Sequence, residues 1–475
     1  MQRYELLTLE VTGLTQRGDG VARHAGFAVF VPGAIPGETV RARVTEVRNS
    51  FARATLQEIV HPSPAREVPP CAIAGVCGGC ALQHLSATLQ LQWKRQFVVD
   101  ALIRIGKLDA NDVEARVAPT VDLGDCWNYR DKVTYRVKLE AGRWIGGFVC
   151  AGSHDIVAAP ACLIARPVHS LLLACVLTGV EEADQHDRST LDTLAKVVIR
   201  IHDDGALVML VAGETGDGSG AWMRLAARVV ALANTAHVAV TGIALVPLLD
   251  VEKTRGVQSK VHGAASTDAG DEDDTGLLET LWGTTALAYD VLGVRLQVSA
   301  TAFAQVNRTA AAAIYGRARS AAGLQSGDIV FDLYCGVGAL AILSAGQGRV
   351  VYGIESNRSA IADARANSER AGSRDVAWLC ALAEEEMPRL QAAGIRPDVV
   401  LLDPPRAGCD RRVIDAIQAA RPRRVVYVSC DPATLARDIR ILAEGGYEFV
   451  EAIPIDAFPQ TGHVECVVSL VKMTE

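Results

Sequence analysis

A chain of 475 residues, 49% hydrophobic and 21% charged, is too long for one ordinary domain and too apolar to be disordered throughout; at roughly 100–200 residues per domain it divides into two to four, and three are expected. The formal net charge of −8 argues mildly against a nucleic-acid partner, but phosphate binding draws on clustered cations and not on the total. No apolar run reaches the ~18 residues of a membrane span, and Met1-Gln2-Arg3-Tyr4-Glu5 is not followed by a signal-peptide core, so a cytoplasmic protein with no membrane partner is expected.

In such a compartment the twelve cysteines are expected as reduced thiols, metal ligands or catalytic groups. From residue 5 to about 60, short alternating runs such as Phe27-Ala28-Val29-Phe30-Val31 and Thr39 to Val44 are punctuated by Gly18, Gly20, Gly26, Gly33 and Gly37. This pattern predicts a small β-barrel of the kind that takes single-stranded nucleic acid. Pro62, Pro64, Pro69 and Pro70 mark a linker. Leu85 to Gly106 has helical spacing, with Leu85, Leu89, Phe97, Leu102 and Ile105 on the apolar side and Lys94 and Arg95 expected outward.

Between about 127 and 300 strands predominate, including Lys132 to Leu139, Lys196 to His202 and Ala206 to Val211, and a mixed or antiparallel domain is predicted. Arg130, Lys132, Arg136, Lys138 and Arg143 concentrate basic charge there. Residues 262–276 are small, acidic and aperiodic, and read as a mobile surface insertion. From about 310 onward, apolar runs at Ile329, Val350, Val399, Val425 and Cys466 alternate with Ala-rich helical stretches. That alternation predicts a doubly wound α/β sheet with its ligand at the carboxyl ends of the strands. The fold class is thus α/β and multidomain: a barrel over 1–62, a central mixed α+β domain over 63–300 and a Rossmann-like domain over 301–475.

Two groups of residues carry chemistry. Asp332-Leu333-Tyr334-Cys335-Gly336-Val337-Gly338 closes the first strand of the last domain and opens a helix, and Glu355 ends the next strand, where a carboxylate can accept both hydroxyls of a ribose or simply favour a helix amino terminus. Neither the Gly-Lys-Ser/Thr of a phosphate loop nor the third glycine of a dinucleotide fingerprint is present, so S-adenosylmethionine fits better than ATP or NAD. Asp403-Pro404-Pro405-Arg406 follows the fourth strand as a rigid turn. Cys430 ends the next, and Glu465 follows 35 positions later (465 − 430 = 35). A thiolate adds readily to an electron-poor carbon, and carbon 5 of a pyrimidine becomes nucleophilic once something has added at carbon 6. A carboxylate within reach can then take the carbon 5 proton.

The other group is Cys71, Cys77, Cys80 and, far downstream, Cys162. Four thiolates are the usual set for an iron–sulfur cluster, and only Cys77 and Cys80 have the paired spacing of a zinc knuckle, so [4Fe–4S] is favoured over zinc. The remaining cysteines, among them Cys150, lack such grouping and read as ordinary.

Taken together these residues resemble the RNA uracil-5-methyltransferase family, particularly bacterial ribosomal RNA members with an amino-terminal TRAM barrel and an iron–sulfur cluster. The likeness rests on Val31-Pro32-Gly33-Ala34-Ile35-Pro36-Gly37-Glu38, the four cysteines, Phe303-Ala304-Gln305-Val306-Asn307 and the motifs around Asp332, Asp403, Cys430 and Glu465. It implies that Gln305, Tyr334, Glu355 and Asp403 contact S-adenosylmethionine, that Cys430 is the nucleophile and Glu465 the base, and that Cys71, Cys77, Cys80 and Cys162 hold a [4Fe–4S] cluster. It further implies a monomer that makes 5-methyluridine at an unpaired or flipped uridine of 23S ribosomal RNA. Transfer RNA is the alternative substrate, and an RNA-binding or chaperone protein with a silent catalytic domain is the alternative class. Three positions depart from the family pattern: Asp431 follows the nucleophile where Asn is frequent, Ala339 follows the glycines, and Cys380-Ala381-Leu382-Ala383 lacks the polar residue that commonly meets adenine.

Overall fold

The computed structural model describes residues 1–213, 219–248 and 278–473. The acidic stretch 262–276 lies outside the described residues. Five strands, Leu6–Leu14, Asp19–His24, Phe27–Pro32, Thr39–Val47 and Phe51–His61, close into a barrel. Alternation along each strand sends Leu7, Leu9, Val11, Val29, Val31, Val40 and Val44 inward. Closure leaves no free sheet edge.

The helix Ala87–Arg104 starts at Ser86, whose hydroxyl accepts from the Leu89 N–H. It packs on the barrel through Phe97, which shares a small core with Leu14 and Ile35, and more extensively on the carboxyl-terminal sheet, where Val98, Val99 and Leu102 share a core with Phe331, Leu402, Tyr427 and Leu435. Lys94, expected outward, is instead fully buried against Asp456, and Ile105, expected to pack, is exposed. The helix has neighbours on more sides than its apolar stripe reveals, and an ion pair supplies the contact on one of them. Beyond it the chain runs parallel to Tyr447–Ile455, bridging Val117 to Ala452 and Val121 to Ile455, and covers that sheet edge.

The central sheet has seven strands in the order Glu279–Gly283, Val240–Pro247, Gly205–Ala212, Leu194–His202, Lys132–Glu140, Arg143–Val149 and Ile156–Ala158. One neighbouring pair is parallel and the others antiparallel, so the sheet is mixed. The helices Pro167–Glu181 and Ser219–Thr235 cover one face through Leu172, Val176, Trp222 and Leu225. A hairpin, Ala286–Val291 with Val294–Ser299, leads into the last domain and packs with its helix Arg308–Ala322.

In the last sheet the order is Val376–Cys380, Val350–Glu355, Ile329–Leu333, Val399–Leu402, Arg424–Ser429, Glu465–Lys472 and Tyr447–Ile455. The first five are parallel; Glu465–Lys472 slots antiparallel between its two neighbours. Apolar side chains pack on both faces, which is why these strands read as continuous hydrophobic runs. Ile329–Leu333 and Val399–Leu402 are adjacent while their following strands lie on opposite sides, so a crevice opens at their carboxyl ends.

Candidate active site

The loop after Ile329–Leu333 is shaped by its backbone. Tyr334 adopts a left-handed φ of 64°, held because the N–H groups of Tyr334 and Cys335 both donate to the Ile354 carbonyl, at 2.9 and 3.1 Å. Gly338, with φ 88°, opens the helix Ala339–Ser344, and a Cβ there would stand 2.5 Å from the Trp378 ring. The Glu355 carboxylate spans this loop and the next helix, accepting from the Gly336 N–H at 3.2 Å and the Asn357 N–H at 2.8 Å. Its ribose-binding and helix-start readings therefore describe the same position. Behind it Asp332 is wholly buried, and neither of its oxygens has a well-formed hydrogen bond. Burial, with Asp403 adding repulsion, pushes its carboxyl well above the usual range.

Asp403 keeps some surface open but its carboxyl lies deep, and burial followed by the charge of Glu355 raises it to about 7. Gln305 is buried in the loop before Arg308–Ala322, and Phe303 beside it is 66% exposed. That loop is anchored at both ends: Arg200 donates to the carbonyls of Ser299 (2.9 Å) and Ala302 (2.8 Å), and Asn307 donates to the Ala457 carbonyl at 3.0 Å. The Tyr334 hydroxyl sits beside Cys409 and Asp410, and burial raises its pKa.

Cys430 and Glu465, 35 residues apart in sequence, are brought together by pairing. Ser429 lies opposite Cys466 in the antiparallel ladder, so the residue that leaves one strand meets the residue that begins the other. The Cys430 thiol is pushed up to about 12, mainly by burial and then by Glu465, with the Arg406 guanidinium opposing. Glu465, nearly inaccessible, is raised to about 8 by burial and Asp403, again with Arg406 opposing. Arg406 was visible in its motif but received no role from the sequence; its effect on both groups marks it as part of the site. The Asp431 carboxylate turns to the helix Pro432–Glu444 and accepts from the N–H groups of Ala433 and Thr434, both at 2.9 Å. Its influence on the thiol is smaller than those of Glu465, Arg406 and Asp403.

A second site lies at the edge of the central domain. Cys71, Cys77, Cys80 and Cys162 line one cavity of about 20 Å3, with Ile73, Phe148 and Leu163. All four are free thiols. Burial raises Cys77, Cys162 and Cys80, the last to about 12, and the neighbouring thiols add repulsion. Among the described residues no His, Cys, Asp or Glu group is drawn close enough to hold a metal ion as the side chains stand. Cys150, unremarkable in sequence, lies opposite Cys77 in an antiparallel bridge.

A sequence profile for tRNA (uracil-5-)-methyltransferases matches residues 293–473, and one for the TRAM domain matches residues 2–56. An uncharacterized RNA methyltransferase of Halalkalibacterium halodurans is 34% identical over 99% of this chain and 98% of its own. Another, of Clostridium acetobutylicum, is 33% identical over 96% and 95%. The crystal structure of the Pyrococcus abyssi tRNA (uracil-54, C5)-methyltransferase with S-adenosyl-L-homocysteine superposes over 98% of this chain and 99% of that one, with a TM-score of 0.69 at 24% identity, which shows a shared fold. Barrel, sheet and these likenesses define an RNA methyltransferase. The chain belongs to the RNA uracil-5-methyltransferase family.

Proposed function

We propose that the protein methylates carbon 5 of a uridine in 23S ribosomal RNA through a transient bond to Cys430. The observation that carries this reading is the meeting of Cys430 and Glu465 at the crevice, with Asp403 and Arg406 beside them. The Cys430 sulfur, as thiolate, bonds to carbon 6 of the ring, and the displaced π electrons make carbon 5 nucleophilic. After carbon 5 gains its methyl group, Glu465 takes the carbon 5 proton, the pair left behind restores the double bond, and the carbon–sulfur bond breaks to return the thiolate. Arg406 favours the anionic form of both groups.

The crevice fits S-adenosylmethionine: glycines with positive φ allow close approach, and Gln305, Tyr334, Glu355 and Asp403 are the residues that would hold it. When bound, it supplies an electrophilic methyl group on a positively charged sulfur. The donor chemistry of the second site suits a [4Fe–4S] cluster, four cysteines around one cavity that repel one another as thiolates, a repulsion that a cationic centre would relieve. Cys71, Cys77, Cys80 and Cys162 would hold it. RNA would lie on the barrel and on the face of Lys132–Glu140 that presents Lys132, Arg136 and Lys138, with a monomeric enzyme acting in the cytoplasm over the three domains 1–62, 63–300 and 301–475.

A second reading, uracil methylation of transfer RNA, is favoured by the description of the matching profile and of the Pyrococcus abyssi structure. Labelled S-adenosylmethionine offered with 23S ribosomal RNA or with transfer RNA separates the two. Incorporation into ribosomal RNA alone, lost in Cys430→Ala, is the expected result; label on transfer RNA alone selects the second reading, and label retained by the variant removes Cys430 from the mechanism. Iron analysis of anaerobically purified protein tests the cluster, with about four irons per chain expected.

A further inference from the structure

Residues 456–465 form a loop and strand start that are almost entirely buried, which is unusual for connecting chain. Its carbonyls are taken in succession by donors from separate elements. Ala457 receives Asn307 Nδ2 (3.0 Å), Phe458 receives Lys94 Nζ (3.0 Å), Pro459 receives the Tyr129 hydroxyl (2.9 Å) and Gln460 receives the Leu82 N–H (2.9 Å). Gln460 holds a left-handed φ of 71°, a conformation a non-glycine residue keeps only where its surroundings impose it. Here the Gln90 amide imposes it: Oε1 accepts from the Gln460 N–H at 2.9 Å, and Nε2 faces the Gln460 side-chain oxygen and the carbonyls of Leu82 and Leu85 at 3.0–3.1 Å. The loop closes where Ile455 pairs with Glu465.

We propose that Gln90, Lys94 and Tyr129, none of them in the catalytic crevice, are positioning residues for the Glu465 carboxylate. The inference rests on the reading of Glu465 as the base. Its physical root is the kind of proton removed. A carbon-bound hydrogen makes no useful hydrogen bond, so the substrate cannot draw its base into line. The carboxylate must be held in place beforehand, and a loop fixed carbonyl by carbonyl does this. Leu82 stands two positions after Cys80, so the same brace joins the thiol-lined segment to the base.

Misplacing the base has a consequence that mere destabilisation lacks. The addition of Cys430 and the methylation proceed, but proton loss slows, so the covalent protein–RNA species accumulates while turnover falls. The experiment compares Tyr129→Phe, which deletes one hydroxyl, and Gln90→Leu, with Glu465→Gln as reference. Turnover and the fraction of protein retained as a denaturation-resistant RNA adduct are read together, alongside amide exchange across residues 456–465. Turnover reduced on the order of tenfold, a larger adduct fraction and faster local exchange are expected in both brace variants. Turnover and adduct falling together, or both unchanged, would overturn the brace while Glu465→Gln still accumulates adduct. No accumulation in Glu465→Gln would instead remove the base reading on which it stands.

Discussion

At Glu465 a neutral acid is the resting form near neutrality, since burial and Asp403 lift it to about 8. Its folded pKa exceeds the unfolded value, so the stability it contributes is present below about pH 4.5 and lost as pH rises through about 8. Glu465→Gln is therefore expected to melt above the parent protein at pH 9 and level with it at pH 4, a comparison made by thermal denaturation at the two pH values. In the proposed role of base the same group must be ionised, so the rate of carbon 5 proton release is expected to climb with pH toward a plateau above about 8. Arg406 is the cation that opposes both shifts. Arg406→Gln should move that limb to higher pH, read from the pH profile of proton release from carbon 5, and should slow adduct formation, read separately by trapping with 5-fluorouridine RNA. Capping accommodates the Asp431 departure without explaining it: Asp431→Asn keeps an acceptor for the helix and should be nearly neutral, whereas Asp431→Ala is expected to cost about 1 kcal/mol in denaturant titration.

Elements differed in how far they could be read from sequence. The barrel strands alternate because one face is buried, and the central parallel strands run apolar because both are, so each left a clear pattern. Val376–Cys380 and Tyr447–Ile455 stood out less, being outer strands with polar and half-exposed positions such as Glu448 and Glu451. Lys94 was misplaced because a lysine on a helix is ordinarily solvated, and only the position of Asp456, more than three hundred residues away, makes its burial favourable. Nothing in the spacing of Cys430 and Glu465 reveals adjacency; that follows from the antiparallel insertion of the final strand. The glycine loop was legible as a tight turn between strand and helix, but the reason for Gly338 was not. Gly338→Ala would combine a left-handed φ with a Cβ 2.5 Å from the Trp378 ring, and a loss of about 1–3 kcal/mol together with weakened S-adenosylhomocysteine binding is expected by calorimetry.

Across the whole molecule the barrel is joined to the catalytic end by close backbone approach. A Cβ on Gly462 would lie 1.7 Å from the Gln16 carbonyl, and one on Gly18 would lie 2.4 Å from that of Ala81. Leu14 and Ile35 of the barrel share a small core with Leu82, Leu85 and Phe97. Basic charge is likewise local: Arg136 pairs across the central sheet with Lys196, although the chain as a whole is acidic. RNA affinity is expected to fall steeply with salt, and Arg136→Gln to reduce the slope of log affinity against log salt by about 1, measured by filter binding.

The sheet is completed out of order. Glu465–Lys472 follows Tyr447–Ile455 in the chain yet wedges between it and Arg424–Ser429. In chain order the strand leading to Cys430 precedes its antiparallel neighbour, and the Glu465 carboxyl belongs to the strand inserted between two earlier ones. The juxtaposition of Cys430 and Glu465 is thus a property of the finished sheet alone, and it exists only once the last-paired strand has been inserted.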